Sequence, residues 1–410
     1  MASAGLDHML SLVIFIAALV IFIGFFSQSI QTALSYQQHT AMSTKTSDLL
    51  DTILLNPGLP QNWSSLDTAP AALGLQDVEF SQYKLSSFST MRLTSTTLPS
   101  VYYPRAGLNY SNITAGYGAY LLTSPAQTVN YSAASKLLGI NGTYGFQLSL
   151  TPTIEVAVTK TSTGSPLQFS VYASGTGLSL ANAEATYNLI VVNQDSNPYP
   201  SYTIISGNAA TDGAGNLQTI SFPGVNGETR SYALVVYVHL YGLKGVGYYV
   251  HVDSSAAKTV VPLIDSFENQ TMRLAHSDSV GPPPQNPIYT QLSYNATFAI
   301  VTEEYTLRQV ILNNAEGTID YGPGSTQDYT KVAVPNNAGI LIIAYKTNVG
   351  QYGIVLAPWG LGSLGFPISF GGNAVGQDWV TTDLRQITIG GIAYQAKLDL
   401  WTFGGHAGIS

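Results

Sequence analysis

The side chains that could do acid–base or metal chemistry are few in this 410-residue chain: it has no cysteine and six histidines, His8, His39, His239, His251, His276 and His406. His239 and His251 lie near the ends of two strand-like runs joined by Tyr241–Gly247, so a hairpin there would bring them together, with Asp253 nearby. A zinc site needs three or four ligands at set spacing, and this group falls short, so no metal or cofactor is expected. Glu303 and Glu304 are adjacent; on a strand they point to opposite faces. They then cannot face each other across the about 5–10 Å that glycoside hydrolysis requires. His276-Ser277-Asp278 has the letters of a catalytic triad, but consecutive residues cannot form its relay. Gly360-Leu361-Gly362-Ser363-Leu364-Gly365 fits a dinucleotide-binding template. That motif works only where a helix opens at the last glycine, and Phe366-Pro367-Ile368-Ser369-Phe370 reads as strand. Asp212 and Asn216 read as a turn in preference to a calcium loop. Tyr102, Tyr103, Tyr248, Tyr249, Trp359 and Trp379 could stack on sugars or partners, with core packing the preferred reading. No catalytic residue is assigned and the chain is expected not to be an enzyme.

A second kind of chemistry is better represented. The acceptor pattern for N-glycosylation, Asn-x-Ser/Thr without proline in the middle, occurs at Asn62, Asn109, Asn112, Asn130, Asn141, Asn269 and Asn295. It has meaning only outside the cytoplasm. All seven follow an apolar run, Met9–Phe26, of eighteen residues without a charge. A run of about twenty such residues spans a bilayer core. The sequons therefore favour an N-terminus inside and a C-terminus outside.

Charge gives no independent orientation, because the first basic residue is Lys45 and the positive-inside rule has nothing earlier to count. A cleaved signal would want a basic start, a shorter core and small residues at the cut. An uncleaved anchor fits better. From Ser27 to Asn56 there is neither proline nor glycine. Ile30, Ala33, Leu34, Ala41, Leu49, Leu50, Ile53 and Leu54 recur at helical spacings. Asn56-Pro57-Gly58-Leu59-Pro60 is a stop. A continuous helix from Met9 to Asn56 would be about 70 Å long, its outer half a stalk whose apolar stripe needs a partner.

The stretch LSLVIFIAALVIFIGFFSQSIQTALSYQ with the exit LLDTILLNPGLPQNW resembles the N-terminal region of archaeal pilin-like, membrane-anchored surface proteins, over roughly residues 1–63. The resemblance implies a helix that anchors in a membrane or packs into a filament core, followed by an extracellular β domain. Ala4-Gly5-Leu6 could imitate the processing site of such pilins, although no Lys or Arg precedes it.

Beyond Pro60 the pattern changes to short runs rich in Val, Thr, Tyr, Leu and Ile between Gly, Asn, Ser and Pro, which suggests sandwiches or barrels. Strand-like runs are Val78–Lys84, Met91–Thr97, Tyr117–Thr123 and Tyr144–Leu150, with one helical turn at Ala133–Leu138. Ile154–Thr159, Leu167–Ala173, Ala185–Val192, Leu217–Phe222, Tyr232–Leu240 and Gly247–Val252 follow. Thr211-Asp212-Gly213-Ala214-Gly215-Asn216 after ANAEATYNLIVVNQ resembles the turn of transthyretin-like or bacterial immunoglobulin-like modules. Val280–Pro287 reads as a stiff proline-rich connection. Further runs lie at Tyr294–Val301, Thr306–Leu312, Ile340–Lys346, Tyr352–Leu356, Ile368–Phe370, Gln386–Ile389 and Tyr394–Trp401.

The expected class is mainly β: an N-terminal transmembrane helix continuing as a stalk, then two or three immunoglobulin-like sandwiches. The expected division is a tip at 1–8, a span at 9–27, a stalk at 28–56, a β-rich domain at 57–150, a sandwich at 151–255 and a C-terminal β domain at 256–410. The first and last of these β domains, from residue 66 on, are candidates for one shared sandwich. Charged residues make up 9% and the net charge is −8, with no Lys or Arg cluster, so the footprint of a nucleic-acid binder is missing. These readings converge on a non-enzymatic surface protein, structural or adhesive, in a cell membrane as a single-pass chain with its C-terminal region outside. Its expected partners are the membrane and, through the helix and β domains, other copies of itself or surface-layer proteins. A pilin-like filament subunit and a surface glycan- or peptide-hydrolase are the alternatives.

Overall fold

The computed structural model describes residues 2–403 except 80–81, 94–99, 115–119, 163, 196, 254–257, 282–288, 323–324, 326 and 378. The fold is mainly β with one long apolar helix at its N-terminus. Helix α1 runs unbroken from Ala2 to Leu54, 53 residues, or about 80 Å at 1.5 Å per residue. It ends two residues before Asn56, the last residue read as helical. No residue of its most apolar window is buried.

Among the described residues the strands form five sheets. One, the seat sheet, receives the end of α1. Its order is Lys84–Leu85, Val380–Ile389, Ile392–Thr402, Tyr144–Pro152, Ile368–Gly371. A middle sheet is ordered Tyr202–Ala210, Glu184–Val192, Tyr232–Leu240, Leu243–His251. A cap sheet holds Ile220–Phe222, Leu167–Gly175 and Ile154–Lys160. A base sheet runs Leu307–Val310, Thr290–Val301, Gly339–Thr347, Tyr352–Trp359. A long sheet joins Tyr329–Ala333, Thr271–His276, Val260–Ser266, Tyr120–Thr123, Leu108–Thr114 and Val101–Tyr103.

The middle sheet explains the apolar run at Tyr232–Leu240. Leu234, Val236 and Val238 pack with Leu167, Phe169 and Val171 of the cap sheet. The alternate residues Ala233, Val235 and Tyr237 join the larger core with Ile354 and Leu356. A strand buried on both faces reads as continuous apolar sequence in place of alternation. Polar staples fix this layer to the base sheet: Ser231 Oγ donates to the Tyr352 carbonyl at 2.7 Å, and Asn188 Nδ2 to the Tyr305 carbonyl at 3.0 Å.

Chain segments far apart in sequence interleave. Tyr144–Pro152 lies between Ile392–Thr402 and Ile368–Gly371. Leu122 pairs in parallel with Leu263.

Several local readings are corrected. Among the described residues, Val78–Lys84 contributes strand only at its end, in Lys84–Leu85, and residues 80–81 lie outside them. Met91 ends a helical turn, α2 (Ser87–Met91), because Ser86 Oγ accepts from Ser89 N and caps it; Thr94–Thr97 lie outside the described residues, as do residues 117–119 and the proline-rich residues 282–287. Among the described residues, eight strands join the ones read from the sequence: Val101–Tyr103, Leu108–Thr114, Leu178–Ser179, Tyr202–Ala210, Val260–Ser266, Thr271–His276, Glu316–Tyr321 and Tyr329–Ala333. The helical turn read at Ala133–Leu138 is α3, Tyr131–Leu137.

Candidate functional site

The end of α1 is built into the head. Leu49, Leu50, Ile53 and Leu54 are buried with Trp63, Leu73 and Ile387 in the main core. Fully burying each such side chain is worth about 1.5–3 kcal/mol. Thr46 Oγ1 meets Thr381 Oγ1 at 2.6 Å, and Arg385 reaches Ser47 Oγ at 2.9 Å and Asp51 Oδ1 at 3.3 Å. A helix end leaves carbonyls without intrahelical partners. Here Leu75 N donates to the Ile53 carbonyl at 2.8 Å and Gln76 N to the Asn56 carbonyl at 3.0 Å. Trp63 Nε1 closes the turn on the carbonyls of Pro57 and Gly74. The head thus covers half of the apolar stripe, the four residues nearest the helix end. Ile30, Leu34 and Tyr36 stay exposed, as do the side chains from Met9 to Phe26.

The sequons fall into two groups. Asn62, Asn109, Asn130, Asn141 and Asn269 are exposed; Asn112 and Asn295 are half-buried on strands. Asn130 Oδ1 is engaged as the cap of α3, accepting from Ala133 N at 2.9 Å. Asn295 Nδ2 donates to Glu316 and Asn269 Nδ2 to Ser266. Asn62, Asn109 and Asn141 are thus the exposed sequons whose side-chain amides make no hydrogen bond among the described residues.

An acidic cleft of about 320 Å³ lies where the middle sheet meets the turn after Val301, lined by Glu184, His239, Asn208, Glu303, Glu304 and Tyr305. His239 and Glu184 are directly opposite across two antiparallel strands, and their Nε2 and Oε2 are 2.8 Å apart. The His239 ring leans on Tyr305 at 4.8 Å, and Lys244 Nζ stands 4.6 Å from the same ring. Burial pulls the Lys244 ammonium below the usual lysine range. Glu303 and Glu304 sit on the turn between strands, not within one, so both line one cleft; this overturns the reading that they point apart. All three glutamates are exposed. Among the described residues no group of three or more His, Asp or Glu converges as a metal site would need.

A larger cleft, about 610 Å³, adjoins the exit of α1 and is lined by Asn62, Ser64, Lys84, Phe88, Asn336 and Asn337 among others.

Other sequence candidates are dispersed. The hairpin turns at Tyr241-Gly242, which pairs His239 with Lys244 and His251 with Tyr232. The two imidazoles are therefore at opposite ends of the hairpin. Gly360 has φ +86° and opens a short 3₁₀ turn, Leu361–Ser363, where Gly362 packs against the Ile389 carbonyl. Asp212 Oδ1 accepts from Ala214 N and Asn216 N, both at 2.9 Å, which makes a turn and lowers its pKa. Tyr103 and Trp359 are core residues; Tyr102 and Trp379 are partly exposed. Tyr248 packs edge-on against Phe366, and Tyr249 against Phe169. His406 lies outside the described residues.

Arg92, which went unread in the sequence, and His276 are wholly buried polar groups. Arg92 is wholly buried, its guanidinium donating to the carbonyls of Trp63, Thr68 and Gln127 between the rings of Trp63 and Phe267. Burial lowers its pKa to about 10. His276 is also wholly buried: Nδ1 accepts from Asp278 N at 3.1 Å, and Nε2 is 3.0 Å from Thr290 Oγ1. Its neighbours Ser277 and Asp278 thus belong to a turn. The signal for Arg92 was a lone cation in a hydroxyl-rich, uncharged stretch.

No protein-family model and no curated protein matches the chain. Among solved structures it has remote likenesses to large β-rich proteins. Salmonella alpha-2-macroglobulin reacted with methylamine aligns at 10% identity over 57% of this chain and 17% of that one, TM-score 0.22. Native E. coli alpha-2-macroglobulin aligns at 12% identity over 68% and 19%, TM-score 0.23. Red sea bream transglutaminase aligns at 9% identity over 62% and 37%, TM-score 0.18. The chain spans less than a fifth of either macroglobulin. TM-scores this low do not mark a shared fold.

Proposed function

We propose that the chain is a non-enzymatic, membrane-anchored cell-surface protein: a β-rich head, structural or adhesive, held outside the cell by a single-pass helix. The observation that carries this reading is the exposure of Met9–Phe26 on a helix whose far end is locked into the head. An apolar cylinder of that length in water is strongly unfavourable, and a bilayer core about 30 Å thick covers it. The seven sequons all follow the helix, which supports the head as the outer part. Solvent-exposed glutamates in the acidic cleft fit a non-catalytic surface, because a catalytic acid is kept protonated by burial.

The chain has no cysteine, so single cysteines can be labelled without background. A membrane-impermeant maleimide on intact cells is expected to label Thr219→Cys in the head and to label Ser3→Cys only after lysis. The reverse pattern overturns the orientation, and recovery of the chain in the soluble fraction overturns the anchor.

A filament reading has its own support. Ile30, Leu34 and Tyr36 are exposed beyond the length a bilayer covers, and bundling with neighbouring copies would bury them. A mature N-terminus at Leu6, together with filaments in negative stain, would move the assignment to a pilin-like subunit.

A further inference from the structure

The larger cleft has a lining that selects a ligand class. Its volume, about 610 Å³, lies within the range of small-molecule sites, which is about 300–1,000 Å³. Most such sites are apolar. Here neutral hydrogen-bonding side chains come from segments remote in sequence, Asn62 and Ser64 after the helix exit and Asn336 and Asn337 from the turn before Gly339, beside the charged group Asp77, Glu79 and Lys84. Amides and hydroxyls both donate and accept, as sugar hydroxyls do. The side-chain amides of Asn62, Asn336 and Asn337 are without an intramolecular hydrogen bond among the described residues and face no competitor within the protein. Phe88 gives the wall one aromatic ring, supported edge-on by Trp359 at 5.4 Å, against which the C–H face of a pyranose can lie. The one cation, Lys84, is taken by Glu79 and Asp77, which leaves no free positive charge for a phosphate or carboxylate.

We propose that this cleft binds a neutral saccharide. Asn62 is both a wall residue and the acceptor of Asn62-Trp63-Ser64, so a glycan linked to it starts inside the cleft. The saccharide therefore comes either from that linkage or from outside, and the tethered form rests on the outward-facing head proposed above.

The test uses the full-length chain in detergent micelles, from a host that N-glycosylates. Glycopeptide mapping during endoglycosidase digestion of the folded protein is expected to show release at Asn62 at least ten-fold slower than at Asn109 and Asn141. The gap closes in the Asn336→Ala/Asn337→Ala variant, whose substitutions are at exposed positions. In parallel, unglycosylated Asn62→Gln chain is titrated with chitotriose and maltotriose by saturation-transfer NMR. Protection without binding of the free sugars assigns the tethered source. Binding that the Asn336→Ala/Asn337→Ala changes abolish assigns an external one. Equal release, or an unmodified Asn62, combined with no saccharide binding overturns the proposal. Absence of glycan at all three sequons counts against the outward head instead, and the free-sugar titration then decides the cleft alone.

Discussion

Thr46 on α1 and Thr381 on the last hairpin share a buried hydroxyl–hydroxyl hydrogen bond of 2.6 Å across 335 positions of sequence. Around it, Arg385 ties Ser47 and Asp51 to the same hairpin. The anchor and the head are one rigid construction at this point, and the first predictions concern it.

Leu50→Ala is expected to destabilise the head by about 2–5 kcal/mol, because it opens a cavity under the helix end. Leu34→Ala, on the exposed part of the same helix, should leave the head unchanged. Guanidinium unfolding followed by tryptophan fluorescence reads both.

Gly74→Ala should destabilise severely. A Cβ at Gly74 would stand 2.1 Å from the Asn56 carbonyl, so the loop that caps α1 must move. A fall in the melting temperature of several degrees is expected, with the β content at room temperature retained.

Arg92→Met should cost about 3–5 kcal/mol. The change fills much of the volume but strands the three carbonyls that the guanidinium satisfies. Denaturant melts give the magnitude. A loss below about 1 kcal/mol would mean that water replaces the cation.

Stability should fall with acid through His276. Burial depresses its pKa, with Asp278 opposing. The unfolded chain therefore takes up a proton near the usual value of about 6.5 while the folded chain resists. The contribution is intact above that value and is lost as pH falls from it toward the folded pKa. The melting-temperature advantage of wild type over His276→Asn, measured from pH 7.5 to 4.5, should shrink below about pH 6.5. An advantage independent of pH would contradict this.

Phe22→Asp should weaken membrane partition by about 2.5–3.5 kcal/mol, the cost of a carboxylate at mid-bilayer. Its head should melt as wild type does, since Phe22 is exposed and far from the seat. Carbonate extraction and thermal melts separate the two effects.

The legible parts of this chain were those where one local rule decides. An uncharged run fixes α1, and Tyr232–Leu240 advertises a strand buried on both faces. Tyr202–Ala210 was silent because an edge strand needs only a thin apolar face, and Ser206, Gly207 and Asn208 look like a loop. Met91 was misread because its state is set by the Ser86 cap, not by its own preference. The Glu303–Glu304 reading supposed a strand at positions that the runs Tyr294–Val301 and Thr306–Leu312 already left between them. Neither cleft was readable: Asn62, Lys84, Phe88 and Asn337 meet through the sheets, and no spacing encodes that meeting.

The seat of α1 also dictates an order of events during synthesis. The helix emerges well before Val380–Ile389 and Ile392–Thr402, which cover its root. At roughly 5–20 residues per second, the intervening chain takes about 15–70 s to appear. Throughout that interval Leu49, Leu50, Ile53 and Leu54 have no cover from the final hairpin, while Met9–Phe26 can already enter a bilayer. On the anchoring proposed above, insertion precedes closure, and a nascent chain stalled before residue 380 would be anchored but unsealed.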